Sequence, residues 1–215
     1  MTLRRLIEQI SPLYPTWDEQ LCRDLMYRFE LVPDVRLGSM SRGQRMRARL
    51  LTAVAYRPRL LLLDEPFSGL DPMVRGDVIE GMLELAGDEP WSILLATHEL
   101  TIAERLADRI GFLSLGDLWL DENLDELLSR CRRVRAELDK PPPRGFTPPA
   151  RCADWQVEGA RVSFFETEAG RLQNGKGGVD VEAAYDFLPA VRSISVHEPS
   201  LEQIFVALHR QRRLS

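Results

Sequence analysis

Two adjacent carboxylates, Asp64 and Glu65, follow four leucines without a break in LLLLDEPFSGLDP, residues 60–72. Charge set against an apolar run is costly unless it is used. An aspartate there can hold Mg²⁺ through water, and a neighbouring glutamate can orient or deprotonate an attacking water, the division of labour that nucleotide hydrolysis requires. A strand-terminal turn capped by the two acids is the plainer use of the same residues. His98 follows Thr97 at the end of a second apolar run. A neutral imidazole at that point can bond a phosphate oxygen or a catalytic water, and it can equally serve as a cap or surface residue. Ser41-Arg42-Gly43-Gln44 offers a third feature: free N–H groups, a hydroxyl and the positive end of the macrodipole make a helix start a phosphate site. Ser41 and Gln44 would cap the helix in either case, and Arg42, Arg45 and Arg49 would also serve as a solvated face.

These residues need elements to hold them. Leu3, Leu6, Ile7 and Ile10 recur at helical spacing until SPLYP breaks the pattern. A second helix is expected from Thr16, boxed by Glu19, with Trp17, Leu21, Leu25 and Phe29 on one face. A third starts at Ser41, boxed by Gln44, with Met46, Leu50, Ala53 and Val54 inward. Leu60–Leu63 is too short for a helix between Pro58 and Pro66, and its unbroken apolarity predicts a parallel strand covered on both faces. An amphipathic helix carrying Val74, Val78, Met82 and Leu85 follows. WSILLAT (91–97) reads as a second buried strand, residues 99–108 as a helix, and RIGFLSL (109–115) as a third strand turning at Gly116-Asp117. Strands alternating with helices predict an open parallel sheet, whose carboxyl rim would present Asp64, Glu65 and His98 together.

From Asp139 the character changes. DKPPPRGFTPPAR holds five prolines, a stiff extended connector. Beyond it ARVSFFETE and VRSISVHE read as strands, and Ser200 caps a helix bearing Leu201, Ile204, Phe205 and Leu208. The tail HRQRRLS is expected to be solvated.

At 215 residues the length suggests roughly 1.4 domains. With 44% hydrophobic and 28% charged residues the composition is that of a globular protein, and a formal charge of −5 gives no global attraction to nucleic acid or anionic lipid. Cys22, Cys131 and Cys152 are odd in number and far apart, so neither a disulfide framework nor a zinc site is expected, which suits a reducing cytosol. No apolar run approaches the roughly 18 residues of a membrane span, and the N-terminus lacks the pattern of a secretory signal.

MSRGQ (40–44), LLLLDEP (60–66), SGLD (68–71) and TH (97–98), in this order, resemble the signature, Walker B, D-loop and switch histidine of ABC-type ATPases. The resemblance covers about residues 1–130, and HEPSLEQIF (197–205) is similar to the C-terminal segment of bacterial export-type ATP-binding subunits. It implies ATP and Mg²⁺ as cofactors, with Asp64 serving the metal, Glu65 acting as general base or water-orienting residue, and His98 sensing the γ-phosphate. Ser41, Arg42, Gly43 and Gln44 would lie against nucleotide bound by a second ATP-binding subunit in a head-to-tail dimer, across which Ser68 and Asp71 would communicate. Arg42 stands where the family's LSGGQ has its second-position glycine, and Met40 replaces the leucine. The implied partners are that second subunit and a membrane permease, with no nucleic acid; the implied location is cytoplasmic, peripheral on the inner face of the membrane. The implied fold is an incomplete α/β P-loop NTPase of ABC type: a helical signature subdomain (1–57), a partial ATPase core (58–138), the proline-rich linker (139–151) and a small α+β domain (152–215).

No GxxxxGK[ST] loop stands in these residues. The Gly-Lys of NGKGG (174–178) lies beyond the connector, with no strand leading in and no Ser or Thr after the lysine. By resemblance the phosphate loop, the adenine-stacking aromatic and the Q-loop precede the helical region, so the sequence is expected to be N-terminally truncated relative to the family, through an internal methionine taken as a start or a shortened gene. In the family's sheet the phosphate-loop strand is implied between the strands at 91–97 and 109–115, so its loss is expected to leave apolar edges unpaired. Two functions are therefore expected in competition: the ATP-hydrolysing subunit of an ABC transporter, and a non-catalytic remnant or regulator that lends its signature helix to an intact ATPase. A chromosome-maintenance ATPase of the same superfamily would need long heptad coiled coils, which this sequence lacks.

Overall fold

The computed structural model describes residues 1–88, 92–168 and 185–214, which divide into two compact units, Met1–Glu99 and Leu100–Ser215. The Gly-Lys of residues 174–178 lies outside the described residues.

The first unit opens with α1 (Leu3–Ile10), whose N-terminus is capped by the Thr2 hydroxyl accepting from the Arg5 N–H. α2 spans Glu19–Arg28. Its cap is Asp18 rather than the expected Thr16: the Asp18 carboxylate accepts from the Leu21 N–H at 2.8 Å, while the Thr16 hydroxyl donates to the Tyr56 carbonyl at 2.6 Å. An ionised cap is the stronger acceptor, and Arg57 pairs with the same carboxylate. α3 (Arg42–Val54) begins with the full capping box: Ser41 Oγ accepts from the Gln44 N–H and Gln44 Oε1 accepts from the Ser41 N–H. It buries Gly43, Ala48, Leu50, Leu51 and Val54. Gly43 is required by close approach, because a Cβ there would lie 2.4 Å from Val74 Cγ1.

β1 (Leu60–Asp64) and β2 (Ser92–Ala96) pair in parallel, Leu60 opposite Ser92 and Asp64 opposite Ala96, with α4 (Pro72–Asp88) as the crossover. Val78, Ile79 and Met82 of α4 are buried, as is Leu61 on β1; the side chain of Leu85 lies outside the described residues. The expectation of a strand covered on both faces is corrected here. Leu60, Leu62 and Leu94 share the other face and are 52%, 65% and 63% exposed. The apolar run does form a strand, but nothing among the described residues packs over its second face, so that leucine face stays in water.

The second unit begins with α5 (Leu100–Leu106). β3 (Arg109–Ser114) and β4 (Asp117–Asn123) form an antiparallel hairpin through Leu115 and Gly116, both at positive φ (54° and 82°), the conformation that matches strand twist in a two-residue turn. β3 therefore does not join β1 and β2 as a third parallel strand; among the described residues its ladder is taken by the sequence-adjacent β4. Asn123 then caps α6 (Leu124–Arg130), accepting from the Asp125 and Glu126 N–H groups. β5 (Arg132–Leu138), β6 (Cys152–Glu158), β7 (Arg161–Glu166) and β8 (Val191–His197) make an antiparallel sheet in the order β6-β7-β5-β8. Neither α6 nor β5 was expected from the sequence, and β5 enters this sheet from ahead of the proline-rich segment. One sheet face is apolar, with Val134, Ala136, Phe164, Tyr185 and Leu188 buried in a common cluster.

Ser200 and Gln203 exchange cap hydrogen bonds at the start of α7 (Leu201–Leu214). Its last turns were expected to be solvated tail. Arg210, Arg212 and Arg213 are exposed, and the segment is also helical and paired at the surface, Arg210 to Asp154, Arg212 to Asp117 and over the Trp119 ring, with His209 stacked on Phe205.

Candidate functional site

The rim at the carboxyl ends of β1 and β2 collects Asp64, Glu65 and His98, all within the first unit. Asp64 is the last residue of β1, exposed on the same face as Leu60 and Leu62, and has no hydrogen-bond partner among the described residues. Glu65 leaves the strand at φ +45°, a left-handed conformation that costs a non-glycine residue about 1 kcal/mol or more. Two bonds hold it there: its N–H donates to the Ala96 carbonyl at 2.9 Å, and its Oε1 accepts from the His98 N–H at 2.9 Å. The backbone turn thus aims the Glu65 side chain along the rim rather than off the sheet.

Oε1 also lies 2.7 Å from His98 Nδ1. An ionised carboxylate only accepts, so the proton sits on Nδ1 and Nε2 is the ring nitrogen left for other chemistry. The bond from the imidazole holds the Glu65 carboxyl below its ordinary range, against the opposing effect of burial. The same bond, followed by the charge of Glu65, raises the His98 imidazole. Glu65 Oε2 is shielded from solvent and makes no hydrogen bond of ordinary geometry among the described residues, while the nearby Thr97 hydroxyl also helps to lower the carboxyl. That oxygen can accept from a further proton donor such as water. An ion pair beside the rim, Arg75 to Glu99, was not singled out from the sequence; Glu99 directly following His98 was the available signal.

The segment after the acids is tightly turned. The Ser68 N–H donates to the Glu65 carbonyl, and Asp71 caps α4 by accepting from the Met73 N–H at 3.0 Å. Arg42 at the start of α3 reaches this segment, its Nη1 donating to the Gly69 carbonyl at 3.5 Å. Ser41, Gly43 and Gln44 are not joined to the acid rim by any hydrogen bond; the capping box occupies the Ser41 and Gln44 side chains. Glu65 and His98 are bonded to each other at the rim, Asp64 precedes Glu65 without a hydrogen bond to either, and from the α3 start Arg42 reaches Gly69.

No protein-family model matches the chain. It is 33% identical to the ABC transporter ATP-binding protein YtrB of Bacillus subtilis over 138 residues, 64% of this chain and 47% of that protein. It is 34% identical to the glutamine transport ATP-binding protein GlnQ of Escherichia coli over 112 residues, 51% of this chain and 46% of that protein. A solved ATP-binding subunit of an ABC transporter superposes with a TM-score of 0.52 at 26% identity, covering 60% of this chain and 55% of that one. Over these stretches the chain is similar to ABC transporter ATP-binding proteins. Its fold is accordingly a partial α/β ABC-type ATPase domain. The chain spans less than half the length of the curated ABC relatives it matches.

Whether these residues fit the ABC cofactors divides in two. Mg²⁺ is usually held by one or two carboxylates together with phosphate oxygens, and Asp64 is an exposed carboxylate at the rim with no hydrogen-bond partner among the described residues. No group of three or more Cys, His, Asp or Glu among the described residues could hold a metal without such help. The triphosphate does not fit: a cradle of loop N–H groups and a lysine is needed to offset its charge, and the rim offers acids. No hydrolytic step follows from these residues alone. No helix among the described residues is long and apolar enough to cross a membrane.

Proposed function

We propose that this chain is the signature-to-C-terminus portion of the ATP-binding subunit of an ABC transporter, working when a phosphate loop is supplied to its acid rim. Asp64 is the Mg²⁺ ligand, Glu65 the water-orienting residue or general base, and His98 the group that reports the terminal phosphate. Ser41, Arg42, Gly43 and Gln44 present the α3 N-terminus to nucleotide on a second subunit, and Ser68 and Asp71 lie at that subunit interface. A membrane permease is the partner that ATP-driven closure would move, which places the chain on the inner face of the membrane. The observation that carries this reading is the Glu65–His98 pair with Oε2 of the same carboxylate shielded from solvent.

A second reading is a non-catalytic partner that lends only its signature helix, whose N-terminus is formed by its own capping box at Ser41 and Gln44. Both readings give a chain without measurable ATP affinity of its own. Titrating it with Mg-ATP tests this, and micromolar binding would overturn both. Mixing it with a full-length ABC ATPase then separates them: turnover sensitive to Glu65→Gln assigns catalysis to this chain, whereas turnover sensitive only to Ser41→Ala assigns the lending role.

A further inference from the structure

The four-stranded sheet has a polar face that neither the acid rim nor the apolar core uses. Side chains alternate along a strand, so Arg133 and Arg135 of β5 project opposite to the buried Val134 and Ala136. The register sets Ser163 of β7 and Ser195 of β8 on either side of Arg135, with Gln156 of β6 beyond Ser163. Three neutral hydrogen-bonding side chains thus cross the sheet with one cation among them. Beside this row the Arg133 guanidinium lies 5.1 Å from the Phe165 ring centroid, and its Nε is buried with no partner among the described residues. These side chains line an open groove of about 520 Å³.

Glu137, Glu158 and Arg161 line the same groove. Arg161 of β7 stands directly between Glu137 of β5 and Glu158 of β6, where cross-strand acids offset it. Around Arg133 and Arg135 no carboxylate of the described residues makes an ion pair, although both are held in a fixed sheet. The Gln156 amide donates to Asp154 and the Ser195 hydroxyl to the Arg135 carbonyl, which leaves the two guanidinium forks as the donors that match a phosphate or carboxylate group. The volume is that of a metabolite-sized site.

We propose that the groove over Arg133 and Arg135 binds a small oxyanion-bearing molecule, its phosphate or carboxylate seated between the two guanidinium groups. All its residues belong to the second unit.

Calorimetric titration of the full chain with sodium pyrophosphate, and separately with citrate, at constant ionic strength and without Mg²⁺ tests the proposal and tells the two anion chemistries apart. Saturable binding of at least one is expected. Arg135→Gln, at an exposed position, should weaken it about tenfold or more, and Arg133→Lys should weaken it too by losing the fork. The exposed Arg105→Gln, on α5, should leave it unchanged. No saturable binding of either anion, survival of binding in Arg135→Gln, or equal weakening in Arg105→Gln would overturn it.

Discussion

Leu61 and Leu62 are consecutive on β1 and lie in opposite environments, the first 5% exposed and the second 65%. Truncating Leu61 to Ala should cost about 2–5 kcal/mol through lost burial and a residual cavity. The same truncation of Leu62 should stay within about 0.5 kcal/mol in the isolated chain, as for other exposed positions. Urea midpoints of the two variants give the comparison directly. Equal losses would mean that the second sheet face is covered after all, and the leucine stripe would cease to be available to any further layer of the fold.

Glu65 and His98 should titrate as a linked pair. The folded imidazole is raised, so the stability it contributes is full below its ordinary value of about 6.5 and fades as pH rises through the raised value. The folded carboxyl is lowered, so its contribution is present above the ordinary carboxylate range and fades as pH falls through the lowered value. The pair is strongest between those limits. In an NMR titration the His98 midpoint should lie above that of a free imidazole and drop back in Glu65→Gln. An unchanged midpoint in that variant would detach the histidine from the acid.

Arg151 and Glu166 form a different kind of pair. Glu166 is fully buried, accepting from Arg151 Nε at 3.1 Å and from the Glu168 N–H, and burial pushes its carboxyl upward. Arg151→Met leaves a buried charge short of its counterion and should cost about 3–5 kcal/mol at neutral pH. Because the folded acid is raised, that penalty should shrink as pH falls toward its titration, and the double variant Arg151→Met/Glu166→Leu should recover most of the loss. Thermal unfolding of the three proteins across pH 5–8 is the measurement; a loss independent of pH would assign Arg151 to packing alone.

Sequence spacing alone located the box at Ser41 and Gln44, the cap at Ser200, the two leucine-rich strands and the acids that end the first of them. Those features rest on hydrogen bonds between residues about three apart, or on apolar runs that only one element can accommodate. Tertiary structure decided the rest. It chose Asp18 over Thr16 because Arg57, distant in sequence, also reaches that carboxylate. It drew β5 across the proline-rich segment into a sheet with strands from beyond it, and pinned α7's basic turns by ion pairs to Asp154 and Asp117. It also turned Glu65 back onto His98, 33 residues away. Each of these depends on which strand lies beside which and in what register, and that is fixed by the packing of the whole unit rather than by any window of the chain.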